Sequence, residues 1–230
     1  MEHWGGLAEY CCAPEKALIL KPAGVSAEVA AAVPQAALIA LQGLKYREEV
    51  QPGQKVLING AGGGAGSFAI QLAKLFGAEV TGVDSDRKLE LMTSLGADHV
   101  IDYTKEDFTK NGQQYQRILD FVASHPILNY RRSLVPGGVY VMVGGNIPHL
   151  LSTLLLGSLI SLTGSRKMGI LMAKVNKDLD YMIGLIEAGK IKPVIDKKYP
   201  LEEAAEGFRY LWEGKARGKV VITMEDSDKN

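Results

Sequence analysis

The stretch KVLINGAGGGAGS, residues 55–67, decides the fold class of this chain. Its first five residues form an apolar run, a glycine-rich loop follows, and residues 67–76 carry apolar side chains at helical spacing. A strand, a glycine loop and a helix in this order make the turn at which α/β sheets bind nucleotides, because glycine lets backbone N–H groups approach a diphosphate. The alternative that stays open is a tight turn in another βαβ fold.

Two frames of the loop fit the nucleotide-binding spacing equally well. One has the pattern GxGxxA from residue 60, and the other has AxGxxG from residue 61. The loop residues that we expect to contact a cofactor are Gly62, Gly63, Gly64 and Ala65.

Outside this loop, β-rich runs alternate with runs of helical period. This alternation indicates a parallel sheet with crossover helices, a doubly wound α/β fold of the Rossmann type. A second helix is predicted over residues 86–95. Further strands are predicted at 79–83, 99–103, 118–122 and 139–143, with a possible sixth at 159–163.

The two flanks of this pattern look different. A short strand signal at 17–20 has no glycine loop behind it, and helices are predicted at 26–33 and 34–46. After the sheet, a helix over 176–188 and an amphipathic helix over 202–213 precede a last strand, 219–223, whose partner the sequence does not identify. The amphipathic helix is expected to bury Ala205, Phe208, Leu211 and Trp212.

Composition excludes several classes of protein. Of 230 residues, 47% are hydrophobic and 23% are charged, so the chain is globular and not disordered. Lys+Arg and Asp+Glu each number 26, and without a basic excess we expect no nucleic-acid partner. Cys11 and Cys12 are neighbours that do not readily bridge, which predicts a reduced, cytoplasmic location. Residues 150–162 are apolar but short and interrupted by Ser, Thr and Gly, so a membrane segment is not favoured.

An acidic residue stands at the end of the second predicted strand, 18 residues after Gly66. The Asp84 carboxylate can accept hydrogen bonds from an adenosine ribose and would repel a 2′-phosphate, which favours NAD. Ser85, Arg87 and Lys88 could instead hold that phosphate, so NADP stays open. A third interpretation is that Asp84 or Ser85 caps the following helix while the two cations are solvated.

Several segments in and around the loop resemble a known superfamily. Residues 53–61 (GQKVLINGA), 77–83 (GAEVTGV) and 95–108 (LGADHVIDYTKEDF) are similar to the medium-chain dehydrogenases/reductases, and most of all to the zinc-independent quinone oxidoreductase, or zeta-crystallin-like, branch. The likeness runs from residues 8–10 through 31–34 to 218–221. In that branch the position of Asp84 is often uncharged and belongs to a 2′-phosphate pocket, so Asp84 and Asp86 depart from its pattern.

The resemblance implies further contacts to the cofactor. It places Tyr103 near the adenosine, and Val122, Gly144 and Gly145 beside the nicotinamide ribose and ring. The ordinary structural alternatives for these positions are a buried ring, a core valine and a turn.

The resemblance also implies how the chain is divided. Members of the family carry a GroES-like β domain that this chain is expected mostly to lack. Residues 1–21 and 193–230 are then remnants of that domain around a dinucleotide-binding domain at 22–192. The four histidines and the adjacent cysteines show no zinc-ligand spacing, so the expected cofactor is NAD or NADP without zinc.

The implied activity is hydride transfer between a nicotinamide and a quinone, enone or carbonyl substrate, and no catalytic residue is assigned. One alternative is a non-catalytic NAD(P)-binding domain that acts through a partner, and another is a membrane-associated family member held by residues 150–162. The expected partners are a small-molecule substrate and a second copy of the chain, paired through the edge strand near 159–163.

Overall fold

The central sheet confirms the doubly wound fold. The computed structural model describes residues 6–8 and 10–224, and within them six parallel strands form one sheet in the order β3-β2-β1-β4-β5-β6. The strands are β1 Lys55–Asn59, β2 Glu79–Asp84, β3 His99–Asp102, β4 Tyr115–Asp120, β5 Leu134–Met142 and β6 Lys167–Ile170. The strand order reverses between β1 and β4, so a crevice opens at their carboxyl ends, where such sheets bind ligands.

Helices cover both faces of the sheet. They are α1 Ala27–Ala32, α2 Pro34–Leu44, α3 Gly64–Leu75, α4 Leu89–Ser94, α5 Ile127–Arg132, α6 Ile147–Ser152, α7 Ser158–Thr163, α8 Leu179–Glu187 and α9 Ala204–Trp212. One apolar core lies where α2, α3 and α8 meet the sheet, and a second, around Tyr130 and Tyr140, lies on the other face. No helix among the described residues combines the length and the apolar character that crossing a bilayer requires.

A second, small sheet supplies the partner that the sequence did not identify. Strand β8, Lys219–Thr223, pairs in parallel with β7, Ile195–Pro200. Just before β8, the N–H of Gly218 donates to the carbonyl of Gly62 at 3.1 Å, and Gly218 forms an isolated parallel bridge with Gly63. The last strand therefore begins in contact with the glycine loop. The predicted division into 1–21, 22–192 and 193–230 stays a prediction.

The strand predicted at 159–163 is wrong. These residues belong to α7, and the edge strand is β6, a few residues further on. The cause is that the leucines of this segment point outward, while small and polar residues face the sheet, so apolar character alone misled the assignment. The homodimer stays a prediction, and the edge strand that it would use is β6 instead of 159–163.

Two predictions in the flanks are also wrong. Residues 15–17 form a 3₁₀ turn, and no strand follows over 17–20 in the described chain. Helix α9 packs against the two-stranded sheet, where the buried Gly207 lies against Tyr199 and Ile222. Such a small sheet cannot cover a wide apolar stripe, and the side chains expected to be buried are exposed, namely Ala205, Phe208, Leu211 and Trp212.

Candidate functional site

A cleft of about 730 Å³ opens at the carboxyl ends of β1, β2 and β4. The residues that line it and that the sequence predicted are Gly63, Asp84, Ser85, Arg87, Lys88, Tyr103 and Val122. The predicted residues outside its lining are Gly62, Gly64, Ala65, Gly144 and Gly145. The lining residues that sequence reasoning missed include Asn59, Gly60, Phe108, Ser124, His125 and the segment 213–215.

The glycines of the loop are required for different physical reasons. A Cβ on Gly66 would lie 2.2 Å from the carbonyl oxygen of Gly60, so only glycine lets α3 approach β1 this closely. A Cβ on Gly62 would lie 2.6 Å from the Cβ of Lys88. At Gly63 the nearest atom would be 3.4 Å away, an ordinary contact. Gly63 is therefore the loop position where a side chain would extend into the cleft without disturbing the fold.

The start of α3 offers free backbone donors beside the cleft. The first intrahelical bond runs from the N–H of Ser67 to the carbonyl of Gly63, at 2.9 Å. N–H groups ahead of Ser67 in this turn have no acceptor inside the helix, and the helix dipole favours an anion in front of them. A diphosphate has the charge and the oxygen acceptors that this arrangement suits.

Asp84 holds the glycine loop in place. Its carboxylate accepts hydrogen bonds from the N–H of Gly62 at 3.0 Å and of Ser85 at 2.8 Å, and the ammonium of Lys88 lies 3.2 Å away. The Lys88 side chain is 10% exposed, so its interpretation as a solvated cation is wrong. The Ser85 side chain makes no capping hydrogen bond to the 3₁₀ turn that follows it. Arg87, in that turn, is exposed. The contact of Asp84 to a ribose stays a prediction.

The resemblance-based positions divide into two groups. Tyr103 is 61% exposed and Val122 is 49% exposed on the cleft wall, so neither is the buried ring or the core valine of the ordinary alternative. Gly144 and Gly145 lie in a tight turn after β5. A Cβ on Gly144 would lie 2.4 Å from the carbonyl oxygen of Phe121, and Gly145 has a φ of 139°. The turn explains these two glycines, and their contact to a cofactor stays a prediction.

A buried network that the sequence did not predict shapes the loop after β4. Asp120 is fully buried and accepts hydrogen bonds from the side chains of Asn59, at 2.8 Å, and Tyr140, at 3.0 Å. It also accepts bonds from the N–H groups of Val122 and Ala123. Burial, together with the Asp120 charge, raises the pKa of Tyr140, which keeps the phenol a donor. The sequence does carry a signal for this network, because a polar residue ends each of two neighbouring strands, Asn59 in β1 and Asp120 in β4.

The far wall of the cleft is aromatic and carries a histidine. His125 contacts Phe108 edge-on, with ring centroids 5.1 Å apart, and its Nε2 lies 3.8 Å from Asp107 Oδ1. Burial raises the pKa of Asp107, but bonds from Thr109 and Lys110 outweigh it and bring that pKa to about 2. The wall thus offers flat apolar surface, suited to a base, beside a permanent carboxylate.

Lys219, the first residue of β8, stands beside the start of α3. Its Cδ lies 3.0 Å from the place of a Cβ on Gly64. Burial lowers the pKa of its ammonium, and Lys219 belongs to no ion pair among the described residues. An unpaired cation next to a helix N-terminus leaves a place for an anion. No sequence signal pointed to this residue, because the pairing of β8 was unknown.

The His, Cys, Asp and Glu side chains of the described chain do not form a metal site. No three His, Cys, Asp or Glu side chains there converge closely enough to hold a metal ion. His99 pairs instead with Glu79, and His149 lies against Asn146.

The strand order, the glycine loop and the cleft define a Rossmann-type domain, the class that oxidoreductases use to bind nicotinamide dinucleotides. Comparison with known proteins narrows this class. A family model described as "Zinc-binding dehydrogenase" matches residues 95–222, more than half of the chain. The chain belongs to this family, within the medium-chain dehydrogenase/reductase superfamily, and is similar to quinone oxidoreductases.

Three relatives illustrate the match. The chloroplast envelope quinone oxidoreductase homolog of Arabidopsis thaliana is 32% identical, over 95% of this chain and 68% of the relative. The NADPH-dependent alkenal/one oxidoreductase, chloroplastic, of the same organism is 36% identical, over 96% and 53%. The crystal structure of an NAD-dependent alcohol dehydrogenase matches with a TM-score of 0.79 and 31% identity, over 95% and 65%. The chain thus spans about half to two thirds of the length of these relatives.

Proposed function

We propose that this chain binds NAD(P)H and takes part in hydride transfer to a quinone, an enone or a carbonyl compound. The observation that carries the proposal is the cleft at the point where the strand order reverses, with the glycine loop on one side and an aromatic wall on the other. The relatives support the substrate classes, since their names include a quinone reductase, an alkenal/one reductase and an alcohol dehydrogenase.

The residues of the chain would bind and orient the cofactor, which supplies the hydride when bound. The start of α3 and the ammonium of Lys219 would hold the diphosphate. Tyr103 and Phe108 would flank the adenosine, and Val122 would lie on the nicotinamide side. No residue is assigned to proton transfer, so the proposal is limited to binding and orientation.

The choice between NAD and NADP follows from the surroundings of Asp84. Its carboxylate supports NAD, but the ion pair with Lys88 cancels much of the charge that would repel a 2′-phosphate, and Arg87 is exposed beside it. We therefore propose binding of both dinucleotides, with NAD preferred by less than tenfold. Zinc independence and a cytoplasmic location stay predictions, and metal analysis of the purified protein tests the first.

The test is a fluorescence titration with NADH and NADPH, followed by turnover assays with a quinone and an enone. Gly63→Val should abolish binding of both dinucleotides, because its methyl groups would occupy the cleft. Gly184→Val, on the exposed side of α8 with no atom within 4 Å of its Cβ position, is the matched control and should bind normally. Unchanged binding by Gly63→Val would refute the site. Binding without turnover would favour the alternative function, a domain that acts through a partner.

A further inference from the structure

One helical segment at the edge of the sheet is built the opposite way from an ordinary surface helix. Helix α6, a π-helical turn at Thr153–Gly157 and α7 run on continuously from residue 147 to 163. The side that faces the protein is mostly small or polar, and Ile160 is the partly buried exception. Thr153 is 3% exposed, Gly157 is buried against Met168, and the Ser161 hydroxyl accepts a hydrogen bond from the N–H of Met168 in β6 at 2.8 Å.

The other side of this segment presents large apolar side chains to solvent. They are between 37% and 84% exposed, and they are Ile147, Leu150, Leu151, Leu154, Leu155, Leu156, Leu159 and Leu162. Residues 147–163 contain no charged side chain. A globular protein turns such a stripe inward, and an exposed apolar patch of this kind marks an interaction surface. We call it the leucine face.

The chain around the leucine face is positively charged. Residues 121–177 contain no Asp or Glu, although they carry six Lys and Arg, while the remaining sequence has 20 basic against 26 acidic residues. The six cations are Arg131, Arg132, Arg166, Lys167, Lys174 and Lys177. Within the described residues, none of them forms an ion pair, whereas nine other Lys and Arg residues do.

Three of these cations lie at the segment. The Lys167 ammonium donates to the carbonyl of Ser161 at 2.9 Å, so it rests against α7. Helix α5 contacts the π-helical turn and ends with the exposed Arg131 and Arg132. Apolar area and unpaired positive charge are therefore neighbours on the surface.

We propose that the leucine face binds an anionic lipid surface, with the segment lying in the plane of the interface. The leucines would enter the boundary between headgroups and acyl chains, and the surrounding cations would attract acidic headgroups. Charge favours a lipid surface as the occupant, because acidic headgroups would pair with Lys167, Arg131 and Arg132, which form no ion pair among the described residues. The proposal does not depend on the cofactor site.

Vesicle flotation tests the proposal. The full chain should float with vesicles of phosphatidylcholine and phosphatidylglycerol, remain unbound with phosphatidylcholine alone, and dissociate as salt is raised. The double variant Leu155→Glu/Leu162→Glu should lose at least tenfold in vesicle affinity. Trp212→Glu is the matched control, since that side chain is 91% exposed on α9, and its vesicle affinity should not change. Dinucleotide titration and the thermal midpoint of each variant verify the fold.

The charged part of the proposal has its own variant. Arg131→Glu/Arg132→Glu alters exposed residues of α5 and should also reduce flotation with anionic vesicles, even if the leucine variant does not fold. Failure of the wild-type chain to bind anionic vesicles would overturn the proposal, and so would flotation that neither double variant reduces. The wild type could instead be a dimer that does not bind vesicles, while the leucine variant is a monomer of 24.8 kDa. That result would show that a second copy covers the leucine face, and it would also overturn the lipid proposal.

Discussion

Asp84 has a structural task in the glycine loop and a proposed task in the choice of cofactor. Its carboxylate accepts a hydrogen bond from the N–H of Gly62, and it also lines the cleft, where the proposed function puts the ribose or its 2′-phosphate. Lys88 is the reason that both tasks are compatible, since its buried ammonium offsets the charge and its stem covers Gly62. Under the proposed function, this one ion pair would link cofactor choice to the geometry of the loop.

Asp84→Asn separates the two tasks. The amide removes the negative charge but keeps one acceptor oxygen for the loop, so the affinity ratio should move toward NADP by up to about tenfold, which corresponds to about 1.4 kcal/mol. Both affinities should fall, because the hold on Gly62 weakens. Dissociation constants for NADH and NADPH measure the effect, with Asp180→Asn, an exposed acid of α8 outside the cleft lining, as control. A ratio that does not move would leave Asp84 with the structural task alone.

Lys219 gives a second prediction at this scale. Lys219→Met keeps the stem beside Gly64 and removes the charge, so both dinucleotides should bind about tenfold more weakly while their ratio is unchanged. The salt dependence of binding should also decrease. Lys215→Met, on the cleft lining but paired with Glu213, is the comparison and should have a smaller effect. Equal effects of the two variants would contradict the assignment of Lys219 to the diphosphate.

Among the elements, α2 and β4 are joined by one buried side chain. The Arg117 guanidinium donates to the carbonyls of Gly43 and Tyr46 at 3.0 Å and of Glu48 at 2.6 Å, which satisfies the end of the helix and the turn after it. Burial lowers the pKa of Arg117 to about 10, so it remains charged at neutral pH. The end of α2 therefore depends on a cation from the sheet.

Arg117→Met should destabilise the chain by about 2–3 kcal/mol, because buried carbonyls lose their donor. Urea unfolding measures the change, and Arg132→Met, at an exposed position of α5, should stay within about 0.5 kcal/mol of the wild type. A similar loss in the free energy of unfolding for both variants would mean that the buried hydrogen bonds of Arg117 do not stabilise the fold.

The elements also show what could be read from sequence. Strands β1, β2 and β3 were predicted within one residue, because they are short runs rich in β-branched residues and bounded by turns. Residues 159–163 were assigned wrongly, since periodicity reports which side is apolar and not which side faces the protein. The cleft residues at strand ends were predicted in part. Asn59, His125 and Lys219 were missed because only long-range strand pairing brings them to the site.

At the scale of the whole molecule, acid should weaken the fold in part through Asp107. Its pKa is about 2 in the folded chain against an ordinary 3.8, so its stabilising contribution is present above about pH 4 and is lost as the pH falls toward 2. We expect at most about 2 kcal/mol, reduced by solvent screening because 27% of the side chain is exposed.

Urea unfolding of the wild type and Asp107→Asn between pH 6 and pH 3 measures this contribution. The variant should be less stable at pH 6, and the two curves should approach each other below pH 4. Asp86→Asn, an exposed acid, should run parallel to the wild type throughout. A difference in the free energy of unfolding between the wild type and Asp107→Asn that stays constant with pH would contradict the lowered pKa of Asp107.

The bond between Gly218 and the glycine loop has a consequence for how the protein is made. Positions 63 and 218 lie 155 residues apart, and the loop receives this N–H donor only from the later one. A ribosome completes most of the sheet before it adds that residue, so the nascent chain carries a glycine loop that still lacks one of its hydrogen bonds. The candidate site therefore reaches its final form only after residue 218 has been added, when all six strands of the main sheet have already been made.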